Sequence, residues 1–276
     1  MLDRSMIRRS FALHSEQYDR VATVQKRVVA RMAELIRNSL NAAPEQVLDA
    51  GCGTGALLEH LTQEYPSACC TGLDLAFGMA RQTAAKMGQR AMTVSGDLEN
   101  LPFRDHSFNL AVSTSTMQWL ETLEHGIAEL TRVVRPGGLV CLALFGGKTL
   151  WELHECYREV LAGKRLPDHD AAKNRLHRFH SGEYFAAVAG QNESLKVVQL
   201  FSERETDVRM DLYDLLRSIK GIGAGTANYA GKGGGGGLGW RGILNDISER
   251  YRQRYALPDG TLPATYETFY LVARKL

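Results

Sequence analysis

No run of about 18 apolar residues occurs in this chain, so no stretch of it reads as a transmembrane helix. The N-terminus is basic but lacks the apolar core of a secretory leader. Cysteine is scarce and odd in number, at five, and no two cysteines stand at a metal-ligand spacing. Cys52, Cys69, Cys70 and Cys141 fall in or beside expected strands, where cysteine behaves as a small apolar residue. A reducing, cytoplasmic setting without disulfides is expected. Net charge is only +2, which removes any strong compositional sign of nucleic-acid binding. Internal repeats are absent, and so is any Ser/His/Asp or Cys/His constellation for nucleophilic catalysis. His177 and His180 are three apart without a second ligand pair, so no metal is expected.

What is present is a chain of 276 residues, 44% apolar, long enough for one large domain with an embedded cap. Charge is uneven. Residues 1–37 carry eight Arg and Lys against four acids, a local +4 that leaves −2 for the remainder. Such a face is either solvated or meets an acidic partner.

The densest signal is Val47-Leu48-Asp49-Ala50-Gly51-Cys52-Gly53-Thr54-Gly55. An apolar run ends in an acid, a glycine turn follows, and Ala56, Leu57 and Leu58 open a helix. This is the layout of a nucleotide site at the carboxyl edge of a parallel sheet. Twenty-five residues on, Cys70–Asp74 ends in a second acid, and Met92–Leu98 carries a third at Asp97. Strand and helix alternate throughout residues 47–145, which predicts a doubly wound sheet. Strands are expected at 47–50, 69–74, 91–95, 108–113 and 139–145, then at 195–208 and 266–274. Apolar residues from Val21 to Ile36 recur at helical spacing. Helical insertions on both sides of the sixth strand are placed to fold over the sheet edge. The glycine run 233–237 is low in complexity.

The turn reads Asp-x-Gly-x-Gly-x-Gly rather than Gly-x-Gly-x-x-Gly. Asp49 would repel a pyrophosphate but would hold the ammonium of an amino acid, directly or through water. That favours a nucleoside carrying an amino acid over a dinucleotide.

These segments, with Arg135-Pro136-Gly137-Gly138 before the fifth strand, resemble the class I S-adenosylmethionine-dependent methyltransferases. The resemblance implies an α/β, Rossmann-like sheet of seven strands, the last antiparallel, with helical cap insertions around the sixth. It implies S-adenosyl-L-methionine as cofactor. Gly51, Gly53 and Gly55 would pass the methionine moiety, Asp74 with Leu75 would take the ribose, and Asp97 with Leu98 the adenine.

Four further segments are similar to the malonyl-acyl carrier protein O-methyltransferases of biotin synthesis. They are Arg9–Asp19, Met117-Gln118-Trp119, Leu262–Glu267, and Arg217–Ala224 beside that family's Ser-Leu-Lys-x-Ile-Gly-Ala. Ile219 departs from the usual leucine, and a glycine-rich segment follows Ala224. The resemblance implies methyl esterification of the free carboxylate of malonyl-acyl carrier protein or malonyl-coenzyme A. Such a carboxylate is ionised at neutral pH, so no general base is expected. Tyr18, Gln118 and Lys220 are the expected substrate-positioning residues, with Arg217 and Arg178 as further cations. Trp119 reads more readily as core than as site. The basic N-terminal stretch or Arg250, Arg252 and Arg254 would face an acidic carrier protein. Three parts are expected: residues 1–45 reaching the active site, 46–146 binding the donor, and 147–276 carrying the cap and the last two strands. A quinone or phenol methyltransferase is the alternative enzyme reading. A nucleoside-binding module without turnover is the alternative from another class.

Overall fold

A computed structural model describes residues 4–120, 122–163, 179–224 and 238–276. Seven strands form one sheet: β1 Gln46–Ala50, β2 Cys69–Asp74, β3 Ala91–Ser95, β4 Phe108–Thr114, β5 Val134–Phe145, β6 Leu195–Arg209 and β7 Leu262–Lys275. Their order is β3-β2-β1-β4-β5-β7-β6. The first five pair in parallel, whereas β7 runs antiparallel between β5 and β6. The strand order reverses beside β1, so the carboxyl ends of β1 and β4 part there and leave a crevice.

Alternation along the strands builds two cores. On one face Val47, Leu110, Val112, Cys141 and Val272 are buried, beneath α3 (Thr23–Ser39) and α4 (Ala56–Glu64). On the other, Leu48, Ala111, Leu142 and Leu271 lie under α6 (Leu123–Val133). Leu139 to Phe145 are all buried, as a central strand covered on both sides must be. Each buried Val, Leu or Phe among them contributes about 1.5–3 kcal/mol.

The chain begins with α1 (Arg4–His14) and α2 (Tyr18–Val21). The helix expected to run unbroken from Val21 is interrupted at Ala22, whose ψ of 51° turns the chain before α3. Residues 4–22 thereby form a strap against the sheet edge, with α1 packed on α5 (Phe77–Met87). The fifth strand, expected from Leu139, starts at Val134 with a break in register between Phe108 and Leu110. Arg135–Gly138, expected before the fifth strand, therefore lies within it.

Of the inserted helices, α7 (Trp151–Ala162) packs against α10 (Leu238–Tyr255). Helix α8 (Gly182–Gln191) lies on β6 and α6. Helix α9 (Leu212–Gly221) meets α2 at the rim. Among the described residues, α9 and the strap meet over the crevice. No helix among the described residues is long and apolar enough to cross a membrane.

Candidate active site

The turn after β1 is held by its own backbone. Gly51 and Cys52 donate to the Leu73 carbonyl at 2.7 and 3.0 Å, tying the turn to the end of β2. Gly51 sits at φ +80°, and a Cβ there would lie 2.3 Å from Thr116 Oγ1. Thr116 Oγ1 in turn donates to the Gly51 carbonyl at 3.1 Å. Gly53, at φ +55°, has nothing within 4 Å of a would-be Cβ and opens onto a cleft. Gly55 caps α4 in the left-handed region.

Asp74, at the end of β2, accepts from the Gly53 amide at 2.9 Å and the Ala76 amide at 2.8 Å. Burial lifts its carboxyl to about 6 against the pull of those two amides. Asp49 is 1% exposed, and neither of its oxygens has a hydrogen-bond partner. Burial, then the charge of Asp74, pushes it up to about 8. Asp49 lies beneath the turn rather than on the cleft wall. Asp97 accepts from the Glu99 amide at 3.0 Å, and Leu98 beside it is buried.

The strap closes over this edge. Asp19 accepts from Thr54 Oγ1 at 2.5 Å and from Lys86 Nζ at 2.7 Å. Lys26 Nζ donates to the Asp19 carbonyl at 2.5 Å. Burial raises the Asp19 carboxyl, but the bonds from Lys86 and Thr54 outweigh it and hold the group below the usual range. Thr54 belongs to the glycine turn, so strap and turn are pinned together.

Two cavities result. The larger, about 1090 Å³ counted to its open mouth, runs from Gly51, Gly53 and Asp74 past Leu75, Asp97 and Leu98. The second, about 540 Å³, is walled by Phe145, Phe179, Ile219, Ile222 and Tyr266. They share Phe11, Tyr18, Gln25, Ser115 and Trp119, which form a neck. Phe11 meets Trp119 edge-on at 5.6 Å between centroids.

The candidate donor residues thus gather around one cleft, with Asp49 just below it. Tyr18 reaches both cavities, and Gln118 lines the second. Lys220 is exposed at the end of α9 and lines neither, and Arg217 is exposed with Asp214 at 3.8 Å. Arg178, His177 and the glycine run 233–237 lie outside the described residues. Arg250 and Arg254 pair with Glu159, and Arg254 also with Glu155, both on α7, while Arg252 is exposed beside them. Arg8, Arg9 and Arg20 form no ion pair among the described residues. No group of three metal-binding side chains occurs among the described residues. Asp19, Gln25 and the cavity-facing side of Trp119 were not singled out from sequence. The helical phase of Gln25 beside Val24 and Val28 was the available signal.

A methyltransferase-domain family model matches residues 48–142, from β1 into β5. A malonyl-acyl carrier protein O-methyltransferase of Geobacter sulfurreducens is 39% identical over 278 residues, covering 100% of both chains. The chain belongs to the malonyl-acyl carrier protein O-methyltransferase family. A biotin biosynthesis bifunctional protein of Teredinibacter turnerae is 33% identical, covering 98% of this chain and 46% of that protein. The fold is shared with a Bacillus halodurans structure assigned as a methyltransferase (TM-score 0.61, 18% identity, 89% of this chain and 99% of that one). Likeness to the malonyl-acyl carrier protein O-methyltransferases therefore extends beyond the domain model, over the strap and α9 as well as the cleft.

Proposed function

We propose that the chain transfers a methyl group from S-adenosyl-L-methionine to the free carboxylate of malonyl-acyl carrier protein, an early step of biotin synthesis. The observation that carries this reading is the pair of cavities joined at one neck, in a chain whose full length matches that family. The residues fit the donor. The open face of Gly53 leaves room for it, and the orphaned Asp49 carboxylate awaits a cation.

When bound, the donor supplies an electrophilic methyl on a sulfonium. Asp49 favours the ammonium from below the turn, directly or through water. Gly51, Gly53 and Gly55 allow close approach along the methionine portion. Asp74, braced by two backbone amides, keeps lone pairs for the ribose hydroxyls, and Leu75 packs beside it. Asp97 accepts from the adenine amine while Leu98 covers the ring.

The acceptor carboxylate is already ionised, so no residue has to remove a proton. The protein contributes alignment and exclusion of water. The strap and the aromatic walls of the second cavity do both. Malonyl-coenzyme A presents the same thioester and is the other acceptor to compare. The carrier protein's acidic face meets Arg8, Arg9 and Arg20 of the strap, which form no ion pair among the described residues.

Mass spectrometry tests the reading. Malonyl-acyl carrier protein incubated with enzyme and donor gains one CH2 unit, and an esterase removes it. Absence of that gain on both malonyl thioesters overturns the proposal.

A further inference from the structure

The second cavity contains no lysine, arginine or histidine among its described lining residues. Among its polar groups are Tyr18, Gln25, Ser115, Gln118, Thr149 and Tyr266, all neutral side chains. Three of them, Tyr18, Gln25 and Ser115, stand at the neck where the two cavities meet.

Gln25 is the unexplained member. It lies on the buried side of α3, 8% exposed, among Val24, Val28 and Val29. Its amide has no hydrogen-bond partner among the described residues, yet it is not sealed off like the orphaned oxygens of Asp49. What surface it keeps faces the cavities it lines. A buried amide without a partner is destabilising unless something meets it there. The Tyr18 hydroxyl is also without a protein partner among the described residues, and burial pushes its ionisation far up, so it remains a donor.

Ser115 is a second, independent sign. It is held at φ +55°, a conformation costly for a residue other than glycine. Its amide donates to the Ala143 carbonyl at 2.8 Å, and its carbonyl accepts from Gln118 Nε2 at 2.8 Å. Gln118 therefore acts through Ser115, fixing a strained residue at the neck. That bond also sets which way the Gln118 amide points.

We propose that Gln25, together with Tyr18 and Ser115, seats the acceptor carboxylate at the neck through their neutral donors, with Arg8 and Lys26 on the wall of the larger cavity; the assignment rests on the malonyl-thioester reading above. A guanidinium or ammonium in that place would bind the ionised substrate more tightly than the transition state, where the acceptor's charge is being lost. That would lower KM without raising kcat. Neutral donors orient the attacking oxygen and forfeit less as its charge disappears. The in-line displacement balances: carboxylate oxygen to methyl carbon forms, carbon to sulfur breaks, and no proton moves.

The test compares wild type, Gln25→Leu and Gln25→Glu by methyl incorporation into malonyl-acyl carrier protein. Wild-type turnover is the control for the parent reading; if it fails, that reading falls and Gln25 is not at issue. Given wild-type turnover, Gln25→Leu is expected to lower kcat/KM for the acceptor about 10- to 100-fold. Gln25→Glu should fall further, since like charges then face each other. Both variants should keep the wild-type affinity for S-adenosylhomocysteine by calorimetry, which also shows that they fold. Wild-type kcat/KM in either variant overturns the proposal. So does a loss confined to donor affinity, which would place Gln25 in the donor site instead.

Discussion

Asp19 and Thr54, 35 residues apart in sequence, are joined by a 2.5 Å hydrogen bond that fastens the N-terminal strap to the glycine turn. Lys86 Nζ holds the other Asp19 oxygen at 2.7 Å, so turn, strap and α5 converge on one carboxylate. Anything bound in the larger cleft lies behind that clasp.

Asp19→Ala is expected to speed dissociation of S-adenosylhomocysteine about 5- to 50-fold, the effect of losing charge-assisted bonds. Stopped-flow displacement measures it. Asp19 titrates below the usual carboxyl range, since its Lys86 and Thr54 bonds overcome the effect of burial. A depressed carboxyl stabilises above its unfolded value and loses that contribution as pH falls through the folded one. In wild type the strap should loosen only in acid, below about pH 4. An unchanged off-rate in Asp19→Ala would show that the clasp does not gate release.

Asp49 has the opposite sign. Its carboxyl, raised to about 8 by burial and by Asp74, holds its proton more tightly in the fold than in the unfolded chain. The free protein should therefore lose stability as pH rises from about 4 to 8 and level off above. Asp74, raised to about 6, adds the same slope over a narrower range. Asp49→Asn should flatten the profile of unfolding midpoint against pH. Saturating S-adenosylhomocysteine should flatten it in wild type too, since a nearby ammonium favours the ionised acid. A flat wild-type profile without ligand would contradict this.

Gly51→Ala meets two obstacles. Its φ of +80° is unfavourable for alanine, and the new methyl would sit 2.3 Å from Thr116 Oγ1. A loss of about 1–3 kcal/mol is expected from the backbone alone. Adding Thr116→Gly should relieve only the contact, because Thr116 Cβ would itself lie 2.6 Å from the new methyl. Chemical denaturation of the single and double variants separates the two, and full rescue by the second change would show that backbone strain is negligible.

Arg20→Glu should raise KM for malonyl-acyl carrier protein severalfold at low salt, with the gap narrowing as ionic strength grows. Turnover of malonyl-coenzyme A should be unaffected. Equal loss on both acceptors would move Arg20 from docking to the fold.

The residues proposed for the donor were legible because their signals are local. Asp49, Gly51, Gly53 and Asp74 stand at strand ends, where an apolar run stops on an acid. The second cavity was legible only in part, because it is assembled across distance: Tyr18 of the strap and Gln118 after β4 were expected there, whereas Gln25 of α3 and Ser115 at the exit of β4 were not. Lys220 lines neither cavity. Leu212, Leu215 and Ile219 mark the buried stripe of α9, and the next residue turns about 100° away from it. Trp119 reads as core from sequence, as a large aromatic in an apolar stretch does, and the structure places it on the wall shared by both cavities.

The sheet's connectivity also bears on how the chain is made. β7 is the last strand to be synthesised, yet it fills the gap between β5 and β6. Until residues 262–275 leave the ribosome, β5 keeps an open, apolar edge and β6 has no neighbour in the sheet. A nascent chain with such an edge is exposed to wrong pairing. Its yield in cells should therefore depend on chaperones during translation more than the stability of the finished protein would suggest.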